Sequence, residues 1–322
     1  MSRLLFAILW LAFTAPMVLA NGATIERKAG GLVFKQSDTV SILREDLAVA
    51  LDKITVNYRY KSEADVAQTV TIGFPMPAVP VGDDSGALRE ILPEGAAPEN
   101  YMGFKVAVDG KEVKAQPFAR AVVKDTDITE KITKLGLPLH MLVDDVNALL
   151  RKVPKAALDE LIALGAVGQG ESYGEPTYWP QWDYQVAFEW QQDFHPGETK
   201  VSISYVPIAG FPADYGDSYE VGESADAACV DAALRASIAK RKAKGGYYEV
   251  ATVGYVLTTA KYWKGPIRSF NLSVEKPDEK TLAAFCPAQA KKVSPTRFEW
   301  HAKDFAPEAD LSVIFYTFQE TE

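Results

Sequence analysis

Between Trp182 and Trp190 the chain reads Trp-Asp-Tyr-Gln-Val-Ala-Phe-Glu-Trp, with a large apolar side chain at every second position. Successive side chains of an extended strand point to opposite faces, so this run demands a sheet with one buried face. Trp182, Tyr184, Val186, Phe188 and Trp190 are the expected buried set. The same alternation recurs in Ile54, Val56, Tyr58 and Tyr60, in Val70, Ile72 and Phe74, in Phe104, Val106 and Val108, and in Val201, Ile203 and Tyr205. A chain carrying this many alternating runs is mainly β.

Turn chemistry suggests how the runs connect. A polar Lys-Ser-Glu-Ala-Asp break between Tyr60 and Val70 predicts a long hairpin, and Asp193 to Glu198 predicts a second that returns through Val201 to Tyr205. The first hairpin meets Phe74-Pro75-Met76-Pro77, where proline removes a ladder donor, so the strand is expected to end there. Beyond it, 78–100 reads as a loop tipped by Asp83-Asp84-Ser85-Gly86. Asp109-Gly110 predicts a tight hairpin into Glu112-Val113. Further strands are expected after Val253, Phe270, Phe298 and Leu311.

The period changes near Ile128. Leu139, Leu142, Val143, Val146, Leu149 and Leu150 recur at helical steps, and Pro154 opens a second helix with Leu158, Leu161 and Ile162 inward and Gly165 as its stop. Ser224 to Lys244 reads as one Ala-rich helix that carries Cys229 and ends at Gly245-Gly246, with Lys240-Arg241-Lys242 at its basic terminus. The expected architecture is therefore two β-sandwich-like portions, 21–127 and 173–322, separated by a helical insertion at 128–172, with one further Ala-rich helix at 224–244.

Residues 1–20 have the form of a secretory leader. Arg3 precedes an apolar run from Leu4 to Phe13, and Val18-Leu19-Ala20 offers a small-residue cleavage site. Cleavage near Ala20 would release a periplasmic or secreted chain without a transmembrane span and move the formal charge from −9 to −10, since only Arg3 is lost. An acidic chain without a basic stripe is a poor partner for nucleic acid. In an oxidising compartment the only two cysteines, Cys229 and Cys286, are expected to be bridged.

Catalytic constellations are not legible. His140, His195 and His301 fall in three unrelated contexts, and no Gly-x-Ser-x-Gly, His-Glu-x-x-His or phosphate loop accompanies them. No cofactor or metal is called for. Asp214, Asp217, Glu220, Glu223 and Asp226 punctuate a Gly-containing segment without calcium-loop spacing, and read as a solvated linker that caps a helix. The aromatic residues not explained as core are Tyr178 and Trp179, flanked by Pro176 and Pro180, and Trp263 in Tyr-Trp-Lys-Gly-Pro. These three are the candidate ligand-binding residues, because flat aromatic faces hold sugars and apolar ligands.

Several separated segments carry a family resemblance. Gly30-Gly31-Leu32-Val33-Phe34, Phe74-Pro75-Met76-Pro77, Tyr255 to Thr259 with Trp263 to Ile267, Phe285-Cys286, and Asp304 to Glu308 together resemble a family of secreted bacterial proteins catalogued as a domain of unknown function, in which GLVF recurs. The resemblance implies a Gram-negative exported protein and brings no catalytic residues. The N-terminal third, with Gly103 to Lys111, is also similar to the vault protein inter-alpha-trypsin domain, a β-sandwich. The Asp-x-Ser-x-Ser metal site of the adhesion domain that usually follows is absent from this sequence. The function expected is a non-enzymatic scaffold or interaction module that meets another envelope protein, with a small-ligand or glycan binder as the alternative and a hydrolase with a spatially assembled site as the third reading.

Overall fold

In a computed structural model of the chain, residues 23–28, 31–82, 98–209, 220–243 and 247–319 are described. The expected leader, the Asp83 to Gly86 loop tip, Asp214, Asp217 and the Gly245-Gly246 stop lie outside them. In chain order the strands begin β1 (Ala23–Lys28), β2 (Gly31–Phe34), β3 (Val40–Val49), β4 (Ile54–Ser62), β5 (Gln68–Pro75) and β6 (Val79–Pro80). Next come β7 (Lys105–Val108), β8 (Lys111–Val113), β9 (Gln116–Val123) and β10 (Thr126–Asp127), then helices α1 (Thr129–Lys134), α2 (Val146–Leu150) and α3 (Lys155–Leu164). The middle of the chain forms β11 (Val167–Ser172), β12 (Glu175–Pro180), β13 (Asp183–Phe194) and β14 (Gly197–Tyr205), followed by α4 (Glu223–Ala227) and α5 (Ala232–Lys242). The last third holds β15 (Tyr247–Tyr255), β16 (Ile267–Glu275), β17 (Leu282–Phe285), β18 (Lys291–Lys292), β19 (Arg297–Phe305) and β20 (Leu311–Gln319).

Two predicted hairpins are crossovers instead. β4 pairs with β3 and β14 in an eight-stranded sheet, whereas β5 pairs with β13 and β1 in a seven-stranded sheet. Residues 63–67 therefore carry the chain from one wall of a sandwich to the other. β13 and β14 make the same passage at His195-Pro196, with Ser62 opposite Gly197 and Gln68 opposite Phe194. Alternation identifies a strand but not its partner, and a short polar break suits a hairpin and a crossover equally. Nor does β5 end the pairing at its prolines. Met76 N–H donates to Val186 O at 2.8 Å, and β6 resumes the ladder along β13 with the register advanced by one residue. Such an extra residue is a bulge.

Inward-facing residues of the two walls make the first core. Phe104 stacks on Phe188 with ring centroids 4.2 Å apart and planes 3° from parallel, and Phe74 and Trp190 close around Phe104. All five residues of the Trp182 to Trp190 alternation are buried. A three-stranded sheet of β15, β20 and β17 covers the rest of the same face of the eight-stranded wall. Tyr58 of β4 meets Tyr255 of β15 at 2.8 Å between hydroxyls, while Tyr60, two residues on and on the same face, packs against Phe194 of β13. Phe298 of β19 packs on Phe285 of β17 in the same way. The molecule thus has two sandwich-like portions that share one wall, and that wall interleaves early strands with β14, β16 and β19. The boundaries 21–127 and 173–322 do not separate its sheets.

The helical insertion is shorter than its periodicity suggests. Leu139 to Val143 are not helical, because Pro138 and the Asp144-Asp145 pair interrupt the run and Asp145 caps α2 by accepting the N–H of Ala148. α3 follows Pro154 and stops at Gly165 with φ 75°, as expected. Residues 167–172, placed in the insertion by the sequence, form β11. The Ala-rich helix is also divided. α4 and α5 flank Cys229, whose φ is 52°, and Asp231 caps α5. Cys229 and Cys286 are bridged, with Cα atoms 5.2 Å apart. No helix among the described residues is long and apolar enough to cross a membrane.

Candidate functional site

After β2 the chain runs through Lys35, Gln36 and Ser37 beside a short 3₁₀ turn, Thr258–Tyr262, that leads into Trp263. Asp310 fixes the start of this turn by accepting the N–H groups of Leu257 and Thr258 at 3.1 and 3.0 Å. Ser37 N–H then donates to Tyr262 O at 2.8 Å, Gln36 Nε2 donates to Trp263 O at 3.0 Å, and Phe34 stacks on Tyr262. Gly265, with φ 71°, turns the chain in a conformation an L side chain resists, and Pro266 starts it toward β16.

These contacts place Trp263 in the core rather than in an exposed loop. Its ring is 1% exposed and lies 4.7 Å from Tyr60 and 5.8 Å from Phe194. Trp263 nonetheless forms the floor beneath an open cleft of about 410 Å³ lined by Pro266, Ile267, Phe305, Ala306 and Pro307, with Gln36, Lys261 and Asp304 as its polar members. Phe305 is half-buried and is held by Phe270 and Trp300, at 4.8 and 5.3 Å. The ion pair of Lys264 with Glu63, at 2.6 Å, ties Gly265's neighbour to the first crossover, and the hydrogen-bonded ammonium lowers the Glu63 pKa. Proline and aromatic walls with a few polar groups suit a ligand with an apolar body and one polar end.

Tyr178 and Trp179 stand elsewhere, on the separate hairpin of β11 and β12, so the structure does not bring them to Trp263. Tyr178 is partly buried and its N–H donates to Asn147 Oδ1 at 3.0 Å. Trp179 is 39% exposed and lies flat along Gly168 and Gly170 of the neighbouring strand. A Cβ added to Gly168 would stand 2.3 Å from the Trp179 Nε1. At the tip of this hairpin Tyr173 and Gly174 have φ of 52° and 80°, as a type I′ turn needs, and Tyr173 is fully exposed.

The histidines are not assembled into a site. His140 belongs to the irregular stretch before α2, His195 to the second crossover and His301 to β19. Among the described residues no group of three or more His, Cys, Asp or Glu is placed to hold a metal. Glu220 is nearly buried and engaged by Lys242 Nζ at 2.9 Å and by the Tyr248 hydroxyl at 2.7 Å, which explains it as a brace between α5 and β15. Gln36, Phe305 and Pro307 were not singled out by sequence. The available signal was that Trp263 to Ile267 and Asp304 to Glu308 both carry the family resemblance noted in the sequence, and the cleft brings them together.

A family model described as a domain of unknown function, DUF4424, matches residues 20–314. No curated protein matches the chain. Among solved structures, a candidate nutrient binding protein from Legionella pneumophila subsp. pneumophila str. Philadelphia 1 aligns at 16% identity and a TM-score of 0.44, over 92% of this chain and 71% of that one. That degree of likeness is too loose to transfer an activity.

Proposed function

We propose, for a chain that belongs to the domain-of-unknown-function family DUF4424, that it is an exported, non-enzymatic binding module that takes a small amphipathic ligand in the Trp263–Phe305 cleft. The observation that carries this reading is the cleft itself, whose volume of about 410 Å³ falls in the range of small-molecule sites. Export is supported by the Arg3 and Leu4 to Phe13 leader pattern and by the disulfide, which persists in oxidising compartments. The GLVF segment belongs to this reading too, because Phe34 stacks on the Tyr262 that precedes the cleft floor.

A thermal-shift screen with medium-chain fatty acids, aromatic acids and short peptides tests it. A ligand at a hundred times its Kd stabilises the native state by about 2.7 kcal/mol, and Phe305→Ala should abolish the shift, measured against that variant's own unliganded melting curve. No shift with any class removes the reading. A second reading, an interaction module for another envelope protein, is favoured by one feature: the β11–β12 hairpin with Tyr173 fully exposed at its tip. Tyr173→Ser should then reduce recovery of a cross-linked partner from whole envelopes without altering the ligand response.

A further inference from the structure

The eight-stranded wall has an outer face, opposite the two cores, and on it five polar residues stand in one row across five strands. Ser202 lies opposite Asn57, Asn57 opposite Asp46, Asp46 beside Asn271, and Asn271 opposite His301. Side-chain hydrogen bonds link them in two groups, Ser202 with Asn57 and Asp46 with Asn271 and His301. Ser202 Oγ donates to Asn57 Oδ1 at 2.7 Å, and Asn271 Nδ2 donates to Asp46 Oδ1 at 2.6 Å. Asn271 Oδ1 can only accept, so His301 Nδ1 carries a proton and donates to it at 2.7 Å. Arg44 Nε reaches both oxygens of Asp46, at 2.9 and 2.7 Å.

Behind this row the wall dips. The next cross-strand row has the small side chains of Ala48 and Ser273 before Glu299, and Arg297 holds Glu299 at 2.9 Å. The resulting trough has a volume of about 340 Å³. Its ligand class follows from its chemistry. Arg44 and Arg297 balance Asp46 and Glu299, so neither an anion nor a cation is selected. Among the described residues no Phe, Tyr or Trp lines it, so a large flat apolar ring has no broad platform. What it offers is a line of fixed donors and acceptors: the Asn57 amide N–H groups, carboxylate lone pairs and His301 Nε2, which at 3.9 Å from Glu299 is beyond hydrogen-bond distance. Strands repeat at about 4.8 Å, so the five-residue row offers polar groups over roughly 19 Å. A chain of sugar rings repeats its hydroxyls on that scale.

We propose that this trough binds a linear neutral glycan laid across the strands, a site independent of the Trp263 cleft. The test is calorimetric titration of the mature chain with glucose and with three linear hexasaccharides: cellohexaose, the β-1,4-linked N-acetylglucosamine hexamer and maltohexaose. At least one hexasaccharide should bind more tightly than glucose. Asn271→Ala and His301→Ala, both on a solvent face, should each weaken it about tenfold. Ala48→Trp, which fills the trough but leaves the ladder in place, should abolish binding, and Phe305→Ala should leave it unchanged. Melting curves taken without sugar identify any variant that has lost its fold. Indifference of the hexasaccharide to Asn271→Ala, His301→Ala and Ala48→Trp overturns the proposal. So does equal affinity for glucose, loss of binding on Phe305→Ala alone, or no binding at millimolar sugar.

Discussion

Glu45 is fully buried where the two cores meet, and two tyrosines answer it. Tyr255 donates to Glu45 Oε1 at 3.3 Å, so the Tyr58 hydroxyl must donate to Tyr255 in turn. Burial, and then the charge of Glu45, push both phenols well above their ordinary pKa, which keeps them protonated donors. Tyr255→Phe removes the donor beside a buried carboxylate, and should cost about 1–3 kcal/mol in urea unfolding, more than Tyr58→Phe. Equal losses would break the proposed order of donors. His140 makes a different prediction. It is half-buried, and its Nδ1 accepts the Leu142 N–H at 3.0 Å, which an imidazolium cannot do. Burial lowers its pKa below the unfolded value of 6.5, partly offset by Glu99. Its contribution is therefore present above about pH 6.5 and lost as pH falls through the folded pKa. The drop in melting temperature between pH 7 and pH 5 should be smaller in His140→Gln. Neither role was legible in the sequence, because Glu45 and Tyr255 are 210 residues apart and only the fold joins them.

At the scale of elements, local signals were read well and pairings poorly. The Trp182 to Trp190 alternation, the Asp109-Gly110 turn with φ of 47° and 81°, and the Gly165 stop all depend on neighbouring residues, and all are present. The two crossovers depend on which wall a strand joins, and no local pattern records that. The Leu139 to Leu150 run misled because apolar spacing continued across Pro138 and the Asp145 N-cap, which starts α2 only at Val146. Of the candidate cleft, the sequence singled out Trp263 but not its companions Phe305 and Pro307, since the cleft is made by segments some forty residues apart. Trp179 on the β11–β12 hairpin gives a test at this scale. Gly168→Ala should lever the indole off the strand and red-shift its emission against a Trp179→Phe control, with little change in global stability. An unchanged spectrum would mean the ring never rested on the glycine pair.

For the whole molecule, the shared wall predicts cooperativity. Neither sandwich-like portion can keep its core once β3, β4 or β16 is lost, so calorimetry should show one transition rather than two. The Cys229–Cys286 link closes a loop of 57 residues and is worth about 4 kcal/mol on the chain-entropy account. It joins the α4–α5 break to the end of β17. Cys229→Ser with Cys286→Ser should lower the melting temperature while preserving the single transition. Two resolved transitions in the parent would show that the walls unfold separately.

The parallel pairing of β16 with β3 has a consequence in time. One edge of residues 45–49 pairs at once with β4, but the other finds its partner only when 270–274 arrive, more than two hundred positions later. A chain emerging amino end first from a ribosome must wait, with that edge of β3 open, until most of it has been made. Until β16 docks, the open edge offers unpaired N–H and C=O groups to any other strand, so the half-made chain is most prone to self-association in that interval.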